Sequence, residues 1–213
     1  MLISPNWRIR RVRTFLVHQP HWQPLREAEL IVQRLSSELT QKISLRFVPL
    51  VNFKVIDQYM ADAHLDSHNL ALRNQLFDTA YQLAVDYKAA QFQGNQKARK
   101  LLIMEQAHMT IPVAPYDQET AYECLEAVGF DLDAFRDDRR REEMHHCLAS
   151  DQAIAVEMGI TKTPAVVIMN SASAGDGLRL GNLKSYERFK SVVQKIITQP
   201  EIQPSKDLFH VLQ

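Results

Sequence analysis

Apolar positions near the start of the chain follow first a strand pattern and then a helix pattern. Residues 12–17 form a short apolar, β-prone run, and Pro20 and Pro24 interrupt the chain after it. Apolar residues then recur at helical spacing between residues 25 and 35, and residues 43–52 alternate as a second strand. The pattern predicts a β-α-β unit, whose right-handed crossover makes the two strands parallel.

The middle of the chain, residues 54–158, changes to helical periodicity. One long periodic segment covers residues 70–88, and another helix follows Gly94. Residues 117–128 begin with an acidic helix start, residues 131–158 continue as one further helix, and each segment stops at a glycine. We therefore predict about a hundred residues of helices between two strand-containing regions.

A strand pattern returns near the end of the chain. Residues 165–169 are almost unbroken apolar and start directly after Pro164, which a sheet tolerates at the first position of a strand. A turn, a short strand and a second turn follow in residues 175–182, and residues 185–198 form an amphipathic helix with Ser185 as its N-cap. The predicted fold class is α/β, in the order β-α-β, helical insertion, β-β-α.

Composition narrows the classes of function. The chain has 213 residues, of which 46% are hydrophobic and 23% are charged, so it can bury a proper core. Its 25 basic residues balance 25 acidic ones, so no net charge attracts nucleic acid or an anionic membrane, although four arginines within residues 8–13 make a local basic arm. No apolar run reaches the length of a membrane span or a signal-peptide core, so we expect a cytoplasmic protein.

The two cysteines, Cys124 and Cys147, fit a reducing compartment and form no C-x-x-C motif. Cysteines in such a compartment most often behave as small buried hydrophobic side chains. A regulatory disulfide between them would require Cα atoms about 6 Å apart, and the cytosolic redox poise argues against it.

The loop HQPHWQP, residues 18–24, stands where the first strand feeds the first helix. Such a junction collects backbone N–H groups and the positive end of a helix dipole, which suits an anion or a thiolate. The loop nevertheless holds no Cys, no Ser and no glycine-rich turn. Two interpretations stay open: His21 and Trp22 offer amphipathic area that anchors a protein partner, or Trp22 packs back onto the core.

Histidines are the remaining candidates for a metal site. The pairs His18 with His21 and His64 with His68 have no carboxylate or thiol in a suitable frame, so we expect no metal to bind them. Neighbours in the sequence HHC, residues 145–147, point about 100° apart on a helix and cannot converge on one ion. We predict a structural helix there.

Two further features of the insertion are predicted to be structural. The charged run RDDRRREE, residues 136–143, is expected to form a solvated helix face with i, i+4 ion pairs, and a docking patch for a partner is the alternative. Aromatic residues of the periodic segments, including Phe77, Tyr81 and Phe92, are expected in the core and not in a ligand pocket.

The order of elements, with Thr163 and Pro164 opening the third strand, resembles the thioredoxin fold in its DsbA-like form, which carries a helical insertion. The resemblance implies that Pro164 is cis and faces the loop before the first helix, and a cis X-Pro bond costs only about 1 kcal/mol. It also divides the chain into a basic arm over residues 1–13, a thioredoxin-like domain from residues 14–53 and 159–198, an all-helical insertion over residues 54–158, and a C-terminal tail over residues 199–213.

Two stretches carry a narrower resemblance: DYKAAQFQGNQKARKLLIMEQ, residues 86–106, and EMGITKTPAVVIMN, residues 157–170. Together they are similar to the YjbH (SpxH) adaptor family of low-GC Gram-positive bacteria, over about residues 14–197. The resemblance implies a cytoplasmic DsbA-like adaptor that presents the regulator Spx to the ClpXP protease. It implies protein partners, no cofactor, and no nucleic acid or membrane as partner.

The chain departs from that family where thiol chemistry would occur. Residues Trp22, Gln23, Pro24 and Leu25 occupy the position of the C-x-x-C motif that many DsbA-like proteins carry. Thiol–disulfide exchange needs a thiolate, so this loop cannot perform it. The N-terminal segment has no cysteine either, so no metal site of the family carries over.

We therefore expect no catalytic residues, and we predict a partner-binding surface at His21, Trp22, Gln23, Thr163 and Pro164. The alternative is an enzyme, because DsbA-like folds also host glutathione-dependent transferases and isomerases. Such an enzyme would hold glutathione at the backbone of Thr163, with Gln23 or His21 as a donor in place of the absent serine.

Overall fold

The computed structural model describes residues 12–18, 43–108, 114–170, 178–180 and 186–198, together with Leu30, Ile31, Arg34, Leu35, Ser37 and Glu38. The chain divides into two compact units. The sheet unit consists of residues 1–16, 29–47 and 165–213, and the helical unit consists of residues 17–28 and 48–164.

The described strands form one sheet in the order β2-β1-β3-β4. Strands β3 and β4 run antiparallel, with Val166 opposite Leu180 and Ile168 opposite Leu178. The strands are β1, Val12–His18; β2, Ile43–Pro49; β3, Ala165–Asn170; and β4, Leu178–Leu180. This order is the one that the predicted β-α-β and β-β-α units produce.

Helices of the sheet unit lie at the predicted places. The six described residues between Leu30 and Glu38 are helical, and the C-terminal helix covers Tyr186–Thr198. Phe189 and Val193 stand four residues apart on that helix and are buried, as an amphipathic helix requires.

An ion pair joins these two helical regions. Glu38 accepts hydrogen bonds from Lys190, Tyr186 and Arg34. These three donors, in that order of effect, lower the pKa of Glu38 from 4.5 to about 2. The charged form of Glu38 therefore stabilises the contact between the helices.

The described residues between β2 and β3 form six α-helices and one 3-10 turn. The helices are α1, Phe53–Asp62; α2, Leu70–Ala90; α3, Asn95–His108; α4, Gln118–Val128; α5, Leu132–Arg140; and α6, Glu142–Glu157, with the 3-10 turn at Gln91–Gln93. We number the C-terminal helix α7. None of the helices in the described parts of the chain is long and apolar enough to cross a membrane.

Polar residues at the helix starts explain several of these bounds. Asn52, Asn69, Asp117 and Asp131 each accept a hydrogen bond from a backbone N–H of the first turn that follows. Helix α4 ends at Gly129, whose φ of 86° is the left-handed conformation that glycine adopts without strain.

The helical unit has a core of its own, formed where α2 packs against α1 and α6. Its fully buried members include Ile56, Met60 and Leu76. Phe77 and Tyr81 pack against this core from its edge and are only partly buried.

The single helix predicted over residues 131–158 is wrong: two helices occupy that range. Arg141 lies between α5 and α6 with an extended backbone, φ −69° and ψ 140°. The break falls inside the charged run, where no apolar periodicity exists to reveal it.

Candidate functional site

The peptide bond between Thr163 and Pro164 is cis. This confirms the isomer that the sequence predicts at the start of β3. Thr163 is buried at 3% exposure, and Pro164 is partly exposed. The predicted partner-binding surface therefore has one described edge at this bond.

Gln58 of α1 contacts that edge, and sequence analysis missed it. Its side-chain Nε2 donates a hydrogen bond to the carbonyl oxygen of Thr163 at 3.3 Å. Within the described chain, Gln58 Oε1 and Thr163 Oγ1 are buried and have no hydrogen-bond partner. Two buried polar atoms beside the cis bond therefore lack a hydrogen-bond partner among the described residues. A buried polar atom without a partner costs free energy of folding. A glutamine on an otherwise ordinary helix carries no sequence signal for this role.

The other candidates for partner binding, His21, Trp22 and Gln23, lie outside the described residues. The same is true of Pro24 and Leu25, which complete the position of the absent C-x-x-C. Their adjacency to Thr163 stays a prediction.

Neither cysteine is paired in a disulfide, and Cys124 is not suited to thiol exchange. Cys124 and Cys147 are both free, and Cys124 is buried on α4. Burial and then the nearby carboxyls of Glu105 and Glu123 raise the pKa of the Cys124 thiol to about 11. Exchange requires the thiolate, so Cys124 is a neutral, unreactive thiol near pH 7.

Four rings stack in a row across three helices of the helical unit, and we call them the aromatic surface: Phe53, Phe77, Tyr81 and His145. Successive ring centroids are 4.6, 6.3 and 6.2 Å apart with nearly parallel planes. Tyr81 and His145 also share a hydrogen bond of 2.6 Å between the hydroxyl and Nδ1. Stacked rings at these distances add about 0.5–1.5 kcal/mol per pair to the helix packing.

The prediction that Phe77, Tyr81 and Phe92 lie in the core is wrong for Phe92, which is 53% exposed. Phe53, which that prediction did not include, is 42% exposed. Phe77 and Tyr81 are partly buried. Helical periodicity identified the face of α2 but could not show that this face runs along the edge of the core. The segment of residues 145–147 is helical, as predicted.

Arg73 fixes the exposed end of the aromatic surface. Its guanidinium lies 4.4 Å from the centroid of the Phe53 ring, and it donates two hydrogen bonds to the carboxylate of Asp57, at 2.5 and 2.8 Å. This bidentate pair and the cation–π contact hold Phe53 in one orientation. The surface therefore combines a preformed aromatic row with a guanidinium at one end.

A buried polar cluster corrects the interpretation of the charged run. Arg139 of that run points inward and donates hydrogen bonds to Asp86 and, at 2.6 Å, to Gln82, both on α2. Tyr116 donates a further hydrogen bond to Asp86 at 2.6 Å. The other described pairs of the run are Arg136 with Asp133 and Arg141 with Asp138, both at i, i+3 spacing, and Glu142 with His146 at the predicted i, i+4 spacing. Arg139 therefore joins α5 to α2 inside the helical unit, so this part of the run is not a solvated face.

Glu105 of α3 lies beside this cluster and is the unexpected member. It is 3% exposed, and its two carboxyl oxygens have no hydrogen-bond partner among the described residues. Burial first, and then the negative charge of Asp86, raise the pKa of Glu105 well above its usual value. A sequence signal existed: Glu105 follows Leu101 and Leu102 at helical spacing, so it belongs to their buried face.

The polar side chains of the described residues do not assemble a metal centre: no group of three His, Cys, Asp or Glu side chains among them could hold an ion. Of the predicted histidine pairs, His64 and His68 follow the end of α1 and are not on a helix.

Comparison with known proteins decides the family. A profile described as thioredoxin matches residues 19–191, which is most of the chain. The chain belongs to this thioredoxin family. A ClpXP adapter protein SpxH of Staphylococcus aureus is 22% identical over 192 residues, which cover 90% of this chain and 69% of the relative.

Solved structures place the fold within the family. The oxidoreductase DsbA of Xylella fastidiosa superposes with a TM-score of 0.60 at 11% identity, covering 89% of this chain and 86% of that one. A cytosolic disulfide reductase, DsbM of Pseudomonas aeruginosa, superposes with a TM-score of 0.61 at 11% identity, covering 87% and 98%. This thioredoxin-family chain therefore has a DsbA-like fold with a helical insertion, and it is similar in sequence to SpxH adaptors.

Proposed function

We propose that the chain is a non-catalytic adaptor that binds a regulator of the Spx type and promotes its degradation by the ClpXP protease in the cytoplasm. The similarity to SpxH over 90% of the chain carries this proposal. The aligned residues include both the sheet unit and the helical unit. The similarity to SpxH is therefore not limited to the strands that all thioredoxin folds share.

The thiol chemistry of the chain supports an adaptor over an oxidoreductase. The loop after β1 contains no cysteine, so the reaction performed by DsbA-like enzymes has no nucleophile there. The raised pKa of Cys124, about 11, keeps that thiol protonated near neutral pH. An adaptor needs complementary surfaces only, and it loses nothing when these sulfur atoms are absent or inert.

We place the client at His21, Trp22 and Gln23, next to Thr163 and Pro164. Two observations support this choice. Buried polar atoms beside the cis bond lack partners among the described residues, and an extended peptide brings backbone groups that could satisfy them. A tryptophan beside a strand edge is also the type of residue that dominates interface energetics.

The chain's two tryptophans provide a matched test of this site. Trp22→Ala should weaken binding of purified Spx by roughly thirtyfold, since loss of an interface anchor costs about 2 kcal/mol. Trp7→Ala, in the arginine-rich arm, should change the affinity less than about twofold. Surface plasmon resonance with the full chain measures both. If folded Trp22→Ala bound Spx with unchanged affinity, the client would not bind at the loop.

The aromatic surface is the alternative client site, and a second matched pair tests it. Phe53 and Phe92 are both exposed phenylalanines of the helical unit, and only Phe53 belongs to the stacked row. If the loop binds the client, Phe53→Ala and Phe92→Ala should both leave Spx affinity unchanged. A large loss of Spx affinity in Phe53→Ala, but not in Phe92→Ala, would show that the client binds the aromatic surface.

The glutathione-dependent enzyme is the alternative function, and it is tested separately. The Thr163 carbonyl that such an enzyme would offer to glutathione already accepts a hydrogen bond from Gln58. Isothermal titration calorimetry of the full chain with reduced glutathione should detect no binding. Micromolar binding together with transferase turnover of an electrophilic substrate would contradict the adaptor proposal.

A further inference from the structure

Glu105 of α3 is a buried carboxyl group that the adaptor proposal does not use. The residue is 3% exposed, and both of its carboxyl oxygens are buried. An ionised carboxyl group at such a place loses the water that would solvate its charge, whereas a protonated one loses much less. The folded chain therefore favours a proton on Glu105 unless a positive charge compensates.

The guanidinium that lies closest to this role is already engaged. Arg139 of α5 donates a hydrogen bond to one carboxyl oxygen of Asp86 on α2, and the hydroxyl of Tyr116 donates to the other at 2.6 Å. Burial raises the pKa of Asp86, and the charge of Arg139 and these hydrogen bonds oppose that rise. Asp86 is therefore the carboxyl group that holds its negative charge opposite Arg139.

Charge balance leads to the same assignment for Glu105. Burial first, and then the negative charge of Asp86, favour its neutral form, and the attraction of Arg139 is the smallest of the three effects. A second carboxylate would place two negative charges against one guanidinium inside the helical unit, and like charges resist ionising together in a poorly solvated place. A neutral Glu105 leaves the group of Glu105, Asp86 and Arg139 without net charge.

The ionisable groups at α4 add no positive charge to this balance. Cys124 is a neutral thiol, and its pKa of about 11 is raised in part by the nearby Glu105 carboxyl. Asp117 accepts hydrogen bonds from the backbone N–H groups of Glu119 and Thr120 at the start of α4. Neither group can compensate an ionised Glu105.

The remaining neighbours of α3 do not compensate it either. His108, one turn further along α3, is exposed and directs its Nδ1 to the carbonyl oxygen of Met104 at 2.9 Å. Lys88 of α2 donates to Asp151 of α6. The 3-10 turn that packs against α3 has no ionisable side chain, and residues 109–113, MTIPV, which follow α3, carry no charged side chain.

We propose that Glu105 is a pH-sensitive element of the helical unit, which takes up a proton on Glu105 when it folds and loses stability as the pH rises. All the contacts involved lie within the helical unit, so the proposal does not depend on the adaptor function.

The sign of the effect follows from the two states. In the unfolded chain the carboxyl group of Glu105 titrates at its ordinary pKa of 4.5, and burial raises the pKa well above that value in the folded chain. Below pH 4.5 both states hold the proton. Above pH 4.5 folding binds one extra proton, so the folding equilibrium constant falls by about tenfold per pH unit until the folded carboxyl group also ionises.

Carbon-13 NMR of the full wild-type chain measures the protonation of Glu105 directly. The carboxyl carbon of Glu105, assigned through bonds from its own backbone, should keep the chemical shift of a protonated carboxyl group at pH 5.5. The chemical shift of an ionised carboxylate at that pH would overturn the proposal without any variant.

Urea unfolding between pH 4.5 and pH 7 measures the effect on stability. Glu105→Gln keeps the shape of the side chain and cannot ionise, so the folding equilibrium constant of the wild type should fall at least tenfold relative to that of Glu105→Gln over this range. Glu126→Gln changes an exposed carboxyl group of α4 and should keep the pH dependence of the wild type. A constant ratio between the wild type and Glu105→Gln would contradict the proposal. If Glu105→Gln does not fold, the NMR titration of the wild type decides.

Discussion

Replacing Lys88 by methionine should destabilise the chain more than any exposed charge substitution. Lys88 stands in the last turn of α2, and its ammonium donates to Asp151 of α6 at 2.7 Å. The side chains are 8% and 0% exposed. Lys88→Met preserves most of the aliphatic stem and removes the charge, so the carboxylate of Asp151 stays buried without its ammonium.

The burial of this pair sets the size of the effect. Removing one partner of a buried ion pair costs about 3–5 kcal/mol, because the remaining charge is left in a poorly solvated interior. Natural domains are stable by only about 5–15 kcal/mol, so this loss is a large share of the total. The same change at Arg136 is the matched control, since its pair with Asp133 is exposed, at 46% and 93%, and such pairs contribute about 0–1 kcal/mol.

Urea unfolding followed by circular dichroism measures both free energies of unfolding. The double variant Lys88→Met with Asp151→Leu should recover most of the stability lost in Lys88→Met, because neither charge of this pair then remains. A loss below about 1 kcal/mol for Lys88→Met, or a loss equal to that of Arg136→Met, would show that the pair is not buried in the folded chain.

Three further predictions concern titration, hydrogen bonding and thiol reactivity. Folding lowers the pKa of Glu38 from 4.5 to about 2, so its contribution to the free energy of unfolding is complete above pH 4.5 and is lost as the pH falls to 2. In Glu38→Gln the free energy of unfolding should therefore depend less on pH between 4.5 and 2. Tyr116→Phe removes the hydrogen bond to buried Asp86 and should lower the free energy of unfolding, measured by urea titration, by about 1.5–3 kcal/mol. An unchanged free energy of unfolding would show that the hydroxyl is solvated and does not bond to Asp86. Iodoacetamide at pH 8 should label partly exposed Cys147 and leave Cys124 unlabelled until the chain is unfolded, as mass spectrometry of peptides can show; rapid native labelling of Cys124 would contradict its burial.

The order of elements could be predicted from sequence because each element carries a local signal. Strand β3 begins directly after Pro164, α4 ends at a glycine, and α7 shows an apolar face at helical spacing. The cis bond before Pro164 followed from the resemblance and not from periodicity. These three elements agree with the predictions to within a few residues, whereas the single helix predicted over residues 131–158 is two helices.

Contacts between distant helices could not be predicted in the same way. Arg139 belongs to a charged run that looks solvated, yet its partner Asp86 lies 53 residues earlier in the chain. Nothing within either helix reveals that pairing, because local patterns report only neighbours on one helix. The buried position of Glu105 is different, because it could have been recognised from its helical spacing to Leu101 and Leu102.

The rate of Spx degradation by purified ClpXP, with and without this chain, tests the central claim most directly, using proteins from the organism that encodes it. The account predicts that the wild-type chain accelerates degradation, and that the variant with Cys124→Ser and Cys147→Ser accelerates it equally. No acceleration by the folded wild-type chain would contradict the adaptor function. Acceleration that disappears in the folded cysteine-free variant would contradict the claim that thiol chemistry plays no part.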